Sequence, residues 1–64
     1  MKKLEERNLE LGKIVKIKNN KTNEFETGQI VWIGTNWHGT RVAKIYLEEK
    51  DLYVHININY IYKA

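Results

Sequence analysis

His38 and His55 are the only histidines among the 64 residues, and the chain contains neither Cys nor Ser. Any covalent nucleophile would therefore be a Thr, a Lys or a carboxylate. The acids fall in the first ten residues, at Glu24 and Glu26, and in the run Glu48-Glu49-Lys50-Asp51. Those segments read as terminus and turns, apart from both histidines, so no base is set beside a nucleophile. A metal centre needs three or four converging ligands, and no such spacing exists here. The expectation is a chain that is not an enzyme, with no metal site, no cofactor and no small-molecule substrate.

The cations are better organised. Lys13, Lys16, Lys18 and Lys21 fall between residues 11 and 22 with no acid among them, and Arg41 and Lys44 follow later. A basic stripe near aromatic side chains is what phosphate contact with base stacking requires. Trp37, on a turn, is the stacking candidate. The competing account is that strand lysines keep a small sheet soluble and guard its edges. Ile, Lys and Asn also dominate the composition, which discounts the lysine count, and the net charge is only +3.

The elements that must position these groups are strands. Residues 1–10 are charged, with Leu4 and Leu9 interspersed, and form an N-terminal extension with room for a turn or two of helix. Residues 11–64 form the domain. Gly12–Lys18 alternates, with Val15 and Ile17 on one face. A polar loop follows, and Phe25, its one large apolar residue, is expected to tuck onto the core. Gly28–Thr35 is the second strand, Asn36-Trp37-His38-Gly39 a turn, Thr40–Leu47 the third strand, 48–51 the next turn and Leu52–Ile56 the fourth strand.

A loop at 48–51 sets Leu47 opposite Leu52, Ile45 opposite Val54 and Ala43 opposite Ile56, all apolar on one face. Tyr46 then meets Tyr53 and Lys44 meets His55 on the other. Across the 36–39 turn the same logic puts Ile30 beside Ile45 and Trp32 beside Ala43, and so assigns Trp32 to the core. Period two fails between Ile58 and Ile61, which predicts a 3₁₀ turn near Asn57–Tyr60 before a short last strand ending at Lys63.

The outer face of strands two to four then carries Val31, Ile33, Val42, Tyr46 and Tyr53, interrupted by Lys44 and His55. That is more apolar than a solvated face needs. Leu4, Leu9 and Leu11 of the extension could cover it, a bend in strand two could bury it, or it could bind a protein partner or a second copy. Trp37, Tyr46, Tyr53, Tyr60 and Tyr62 also supply rings for a cage around a quaternary ammonium group if they converge.

Length and composition set the outer bounds. A chain this short is one domain and buries only about 60% of its unfolded surface. Without Cys it has no disulfide to staple it, so it depends on a tight core or on association. No apolar run reaches the roughly 18 residues of a membrane helix. The two lysines at the start have no apolar stretch behind them, so no signal peptide is expected, and a cytoplasmic location fits.

Gly12-x-x-Val15-x-Ile17, a polar loop, Gly28-x-Ile30-x-x-Ile33, a hairpin, a meander, a 3₁₀ turn and a last short strand together resemble the SH3-like small barrel over residues 11–63. The resemblance implies an all-β, five-stranded barrel. This superfold includes Tudor modules, KOW-type ribosomal and transcription modules, peptide-binding SH3 domains and plasmid-borne reductases, so it does not fix function. Gly28-Gln29-Ile30-Val31, Thr35-Asn36 and Val54-His55-Ile56-Asn57 are also similar to the plasmid-encoded type II dihydrofolate reductases. Those are homotetramers with one central pore, and their pore motif is Val-Gln-Ile-Tyr. Here His55 replaces the Gln and Asn57 the Tyr, and those are the family's residues for holding cofactor and substrate.

The leading expectation is a small binding module that contacts nucleic acid with low sequence specificity through Lys13, Lys16, Lys18, Lys21, Arg41 and Lys44, with Trp37 stacking. The second is a protein-interaction or self-associating module using Val31, Ile33, Val42, Tyr46, Tyr53 and His55. The third is a reductase-like homotetramer.

Overall fold

The computed structural model describes residues 2–19 and 21–64. Five antiparallel strands run β1 (Ile14–Lys18), β2 (Phe25–Thr35), β3 (Arg41–Leu47), β4 (Leu52–Asn57) and β5 (Ile61–Lys63), with 3₁₀ turns at Glu6–Asn8 and Ile58–Tyr60. The sheet order is β4-β3-β2-β1-β5, so the sheet coils around its core without closing. Among the described residues, no helix is long and apolar enough to cross a membrane.

The β3–β4 hairpin has the register the apolar pairs require: Leu47 opposite Leu52, Ile45 opposite Val54, Ala43 opposite Ile56, Tyr46 opposite Tyr53 and Lys44 opposite His55. Its turn closes with Asp51 at φ 50°. The tip between β2 and β3 is held by Asn36. Its side-chain Oδ1 accepts the N–H groups of His38 and Thr40, each at 3.0 Å, while Gly39 takes φ +83°. Asn57 caps the second 3₁₀ turn by accepting the Asn59 N–H at 2.9 Å. That turn supplies the phase change that brings Ile61 inward.

β2 bends at its middle, where two irregularities meet. On one side Gly12, at φ +86°, and Lys13 both oppose Ile30. The Gly12 N–H donates to Ile30 O at 2.6 Å, and the Ile30 N–H donates to Lys13 O at 2.9 Å. This is a bulge with a left-handed glycine. On the other side the pairing with β3 slips between Ile30 and Trp32.

The second bulge corrects the expected placement of Trp32. Ile30 does face Ile45, but the extra residue, Val31, advances the phase by one, so that Ile33 faces Ala43 and Trp32 faces Lys44. Ile33 packs against the core, and Trp32 stands on the outer face, 43% exposed. A β-bulge leaves no mark in an unbroken apolar run, so alternation alone misassigns every residue beyond it.

The core comprises Leu4, Val15, Ile17, Ile30, Ala43, Ile45, Leu47 and Ile61, with Leu9, Ile33, Val54, Ile56 and Ile58 against it. The N-terminal segment joins this core rather than the outer face. Leu4 N–H donates to Ile61 O at 2.9 Å, and Lys63 N–H to Lys2 O at 2.8 Å. Leu11 is left 68% exposed. The extension forms one 3₁₀ turn, not a helix. Phe25 opens β2 instead of tucking into the core, and its ring meets Tyr62 edge-on at 5.2 Å.

Candidate functional site

Three neighbouring strands build a concave surface on the outer face. Val31 and Trp32 come from β2, Lys44 from β3, and Tyr53 and His55 from β4. They line an open cleft of about 460 Å³. Trp32 and His55 meet nearly edge to face, with centroids 6.2 Å apart and planes at 71°. Lys44 Nζ lies 5.0 Å from the Tyr53 ring centroid, close enough for the cation to be attracted by the ring face. Among the described residues, no carboxylate lines the cleft.

Trp32 owes its position to Gly34, which follows it by two residues on the same face. A Cβ at Gly34 would collide with the six-membered ring of the indole, so the missing side chain lets the indole lie along β2. Tyr53 is steadied from the other side. Its ring packs against Tyr46 at 5.0 Å with the planes tilted by 44°, and the Tyr46 hydroxyl donates to Asp51 Oδ1 at 2.6 Å. That bond, together with partial burial and the charge of Asp51, raises the Tyr46 pKa.

The predicted cations do not form one stripe. Ile14, Gln29, Tyr46 and Tyr53 align in one cross-strand row. Lys44 and Arg41 lie on one side of that row. Lys16, opposite Thr27 and Tyr62, and Lys18, opposite Phe25, lie on the other. A second, smaller cleft of about 240 Å³, lined by Ile14, Gln29 and Tyr46 together with Glu48, separates the two groups. Lys21 sits in the turn between β1 and β2.

Two of the cations are already engaged. Lys13 Nζ donates to Asn8 O at 2.9 Å. Arg41 Nε pairs with Glu6 Oε1 at 3.0 Å, and its terminal nitrogen reaches Thr35 Oγ1 at 3.0 Å. Among the described residues, the side chains of Lys16, Lys18 and Lys21 make no ion pair.

Trp37 is 90% exposed at the β2–β3 tip, stacked on His38 at 4.2 Å. Of the outer-face apolar set, Val31, Tyr53 and His55 line the cleft and Tyr46 buttresses it. Val42 is buried, opposite Gly34 and Asn57, and Ile33 faces inward. The rings proposed for a cage split into separate pairs, Tyr46 with Tyr53, Trp37 with His38 and Tyr62 with Phe25. Among the described residues, no three His, Asp or Glu side chains gather to hold a metal ion.

Trp32 is the cleft residue that sequence reasoning missed. Its sequence signal was Gly34, a residue without a side chain one step along the same face.

Compared with protein-family models, curated proteins and solved structures, the chain shows no match.

Proposed function

We propose that the chain is an SH3-like binding module for single-stranded nucleic acid and that the Trp32–Tyr53–His55 cleft is its contact surface. The strand order and the 3₁₀ turn before the last strand support the fold assignment. One observation carries the functional reading: an open cleft walled by two aromatic rings and an imidazole, with Lys44 at its side and no carboxylate in it. Every base has a π-face, so such walls accept bases with little sequence preference, and a cation beside them meets the phosphate. In a duplex the bases are stacked on each other, so the single strand is the better ligand. Trp37 extends the aromatic surface at the hairpin tip. Lys16 and Lys18 form a second cationic group beyond the Tyr46 row, where a longer strand would pass.

The test is a titration of labelled single-stranded and duplex oligonucleotides at two salt concentrations, followed by tryptophan emission. Single strands should bind more tightly than duplex, and affinity should fall with salt in line with about two to four phosphate contacts. Trp32→Ala should weaken binding by about 1–3 kcal/mol, the usual contribution of a stacked base. Absence of binding at low salt, or binding indifferent to salt, would refute the reading.

A further inference from the structure

We propose that β4 is a docking edge for a second copy of this chain, and that two β4 strands pair antiparallel about a two-fold axis at Val54. Among the described residues, β4 pairs within the sheet with β3 alone. Exposed edges are normally blunted by charge, proline or a bulge. β4 reads Leu52-Tyr53-Val54-His55-Ile56-Asn57, with no Lys, Arg, Asp, Glu or Pro, and it pairs with β3 without a register shift. Every other strand of this chain contains at least one Lys, Arg or Glu.

The opposite edge is treated differently. Lys2–Leu4 runs along β5, with a bridge between Lys3 and Tyr62 and backbone bonds on either side of it. A head-to-tail pairing of β4 with β5 is therefore obstructed, and β4 with β4 remains. That arrangement is isologous and closes as a dimer instead of propagating.

The side chains agree with this geometry. Leu52, Val54 and Ile56 point toward the core side, yet none is fully buried, and Leu52 is 41% exposed. An axis at Val54 sets Val54 against itself, Leu52 opposite Ile56 and Tyr53 opposite His55. The core-side pairs are all apolar. Two neighbouring registers keep the correct facing: one centred on Tyr53 leaves Ile56 opposite Lys50 in the turn, and one centred on His55 leaves Leu52 opposite Ile58, beyond β4. Because the axis is perpendicular to the sheet, both outer faces look the same way, and the two clefts adjoin across Tyr53 and His55. The association does not depend on what the cleft binds.

Six residues extend roughly 20 Å, so the interface falls well below the ~800 Å² per partner of a tight dimer, and association is weak. Sedimentation of the full chain from about 10 µM to about 1 mM spans the range in which such an interface forms. The mass should rise from 7.6 kDa toward twice that value. Amides of β4 should exchange more slowly as concentration increases.

Leu52→Lys puts a charge at the edge, outside the buried core set and outside the cleft. It should weaken association at least tenfold while leaving the far-ultraviolet circular dichroism and oligonucleotide binding by a single copy intact. A mass that stays at 7.6 kDa near 1 mM, a dimer that survives Leu52→Lys unchanged, or concentration-dependent protection elsewhere than β4 would each overturn the proposal. If Leu52→Lys does not fold, the exchange pattern of the unaltered chain decides.

Discussion

At Tyr46 the hydroxyl donates to Asp51 Oδ1 at 2.6 Å, and the phenol pKa is raised above the ordinary 10.0. The hydrogen bond to Asp51 is the largest cause, followed by burial and then by the carboxylate charge. The folded chain therefore holds this proton more tightly than the unfolded chain does. The stabilisation is fully present below pH 10.0 and disappears as pH rises through the folded value. Asp51→Asn removes the charge and weakens the acceptor, so the Tyr46 titration, followed by NMR of its ring, should move back toward 10.0. An unchanged titration would show that Asp51 does not hold the hydroxyl. The same bond fixes the ring against which Tyr53 packs, so one turn residue, at positive φ, helps set a wall of the cleft.

Among the elements, β2 does most to place the cleft. Its bulge turns Trp32 outward and Ile33 inward, and Gly34 gives the indole room to lie flat. Gly34→Ala should push the ring off the strand. The ring is partly exposed and can move, so stability should change by less than about 1 kcal/mol. Tryptophan emission and oligonucleotide affinity should both change. Unchanged emission and affinity would mean that Gly34 does not position the ring. The neighbouring turn makes a contrasting prediction. Asn36→Ala leaves the His38 and Thr40 N–H groups without their side-chain acceptor, which should cost about 1–2 kcal/mol in urea unfolding. The 36–39 turn was legible because Asn36 and Gly39 are turn formers, the 48–51 turn because a charged run interrupts the alternation, and the β3–β4 register followed from wholly apolar pairs. The bulge was illegible, because Ile30-Val31-Trp32-Ile33 offers no polar residue to mark the change of phase.

Across the whole molecule, the N-terminal segment is part of the folded unit. Leu4 is buried against Ile61, and the backbone of residues 2–4 lines the β5 edge. A chain of this length has about 3–10 kcal/mol of stability in total. Leu4→Ala should remove about 2–4 kcal/mol of it. Thermal melting by circular dichroism should show a large fall in midpoint, with a broad transition. A midpoint close to that of the unaltered chain would mean that the segment is only a loose appendage. The extension also explains why the two edges behave differently. One is covered by the chain's own residues, and the other, a strand without Lys, Arg, Asp or Glu, makes no second strand pairing among the described residues.

The sequence by itself determined the number of strands and their order along the chain, though not the start of β2 at Phe25, together with the 36–39 and 48–51 turns, the 3₁₀ turn and the β3–β4 register. Each follows from local rules: alternation, turn chemistry, and the need of apolar residues to face each other. It also held the four lysines of residues 13–21, but not their relation to Arg41 and Lys44. Only the tertiary structure decided that the cations divide into two groups, that Trp32 and not Ile33 faces outward, that Leu4 enters the core, and that β4 lies at the end of the sheet with β3 on one side of it. Those outcomes depend on how a bent sheet brings distant residues to one row or one edge, and a one-residue shift at a bulge reverses every facing beyond it.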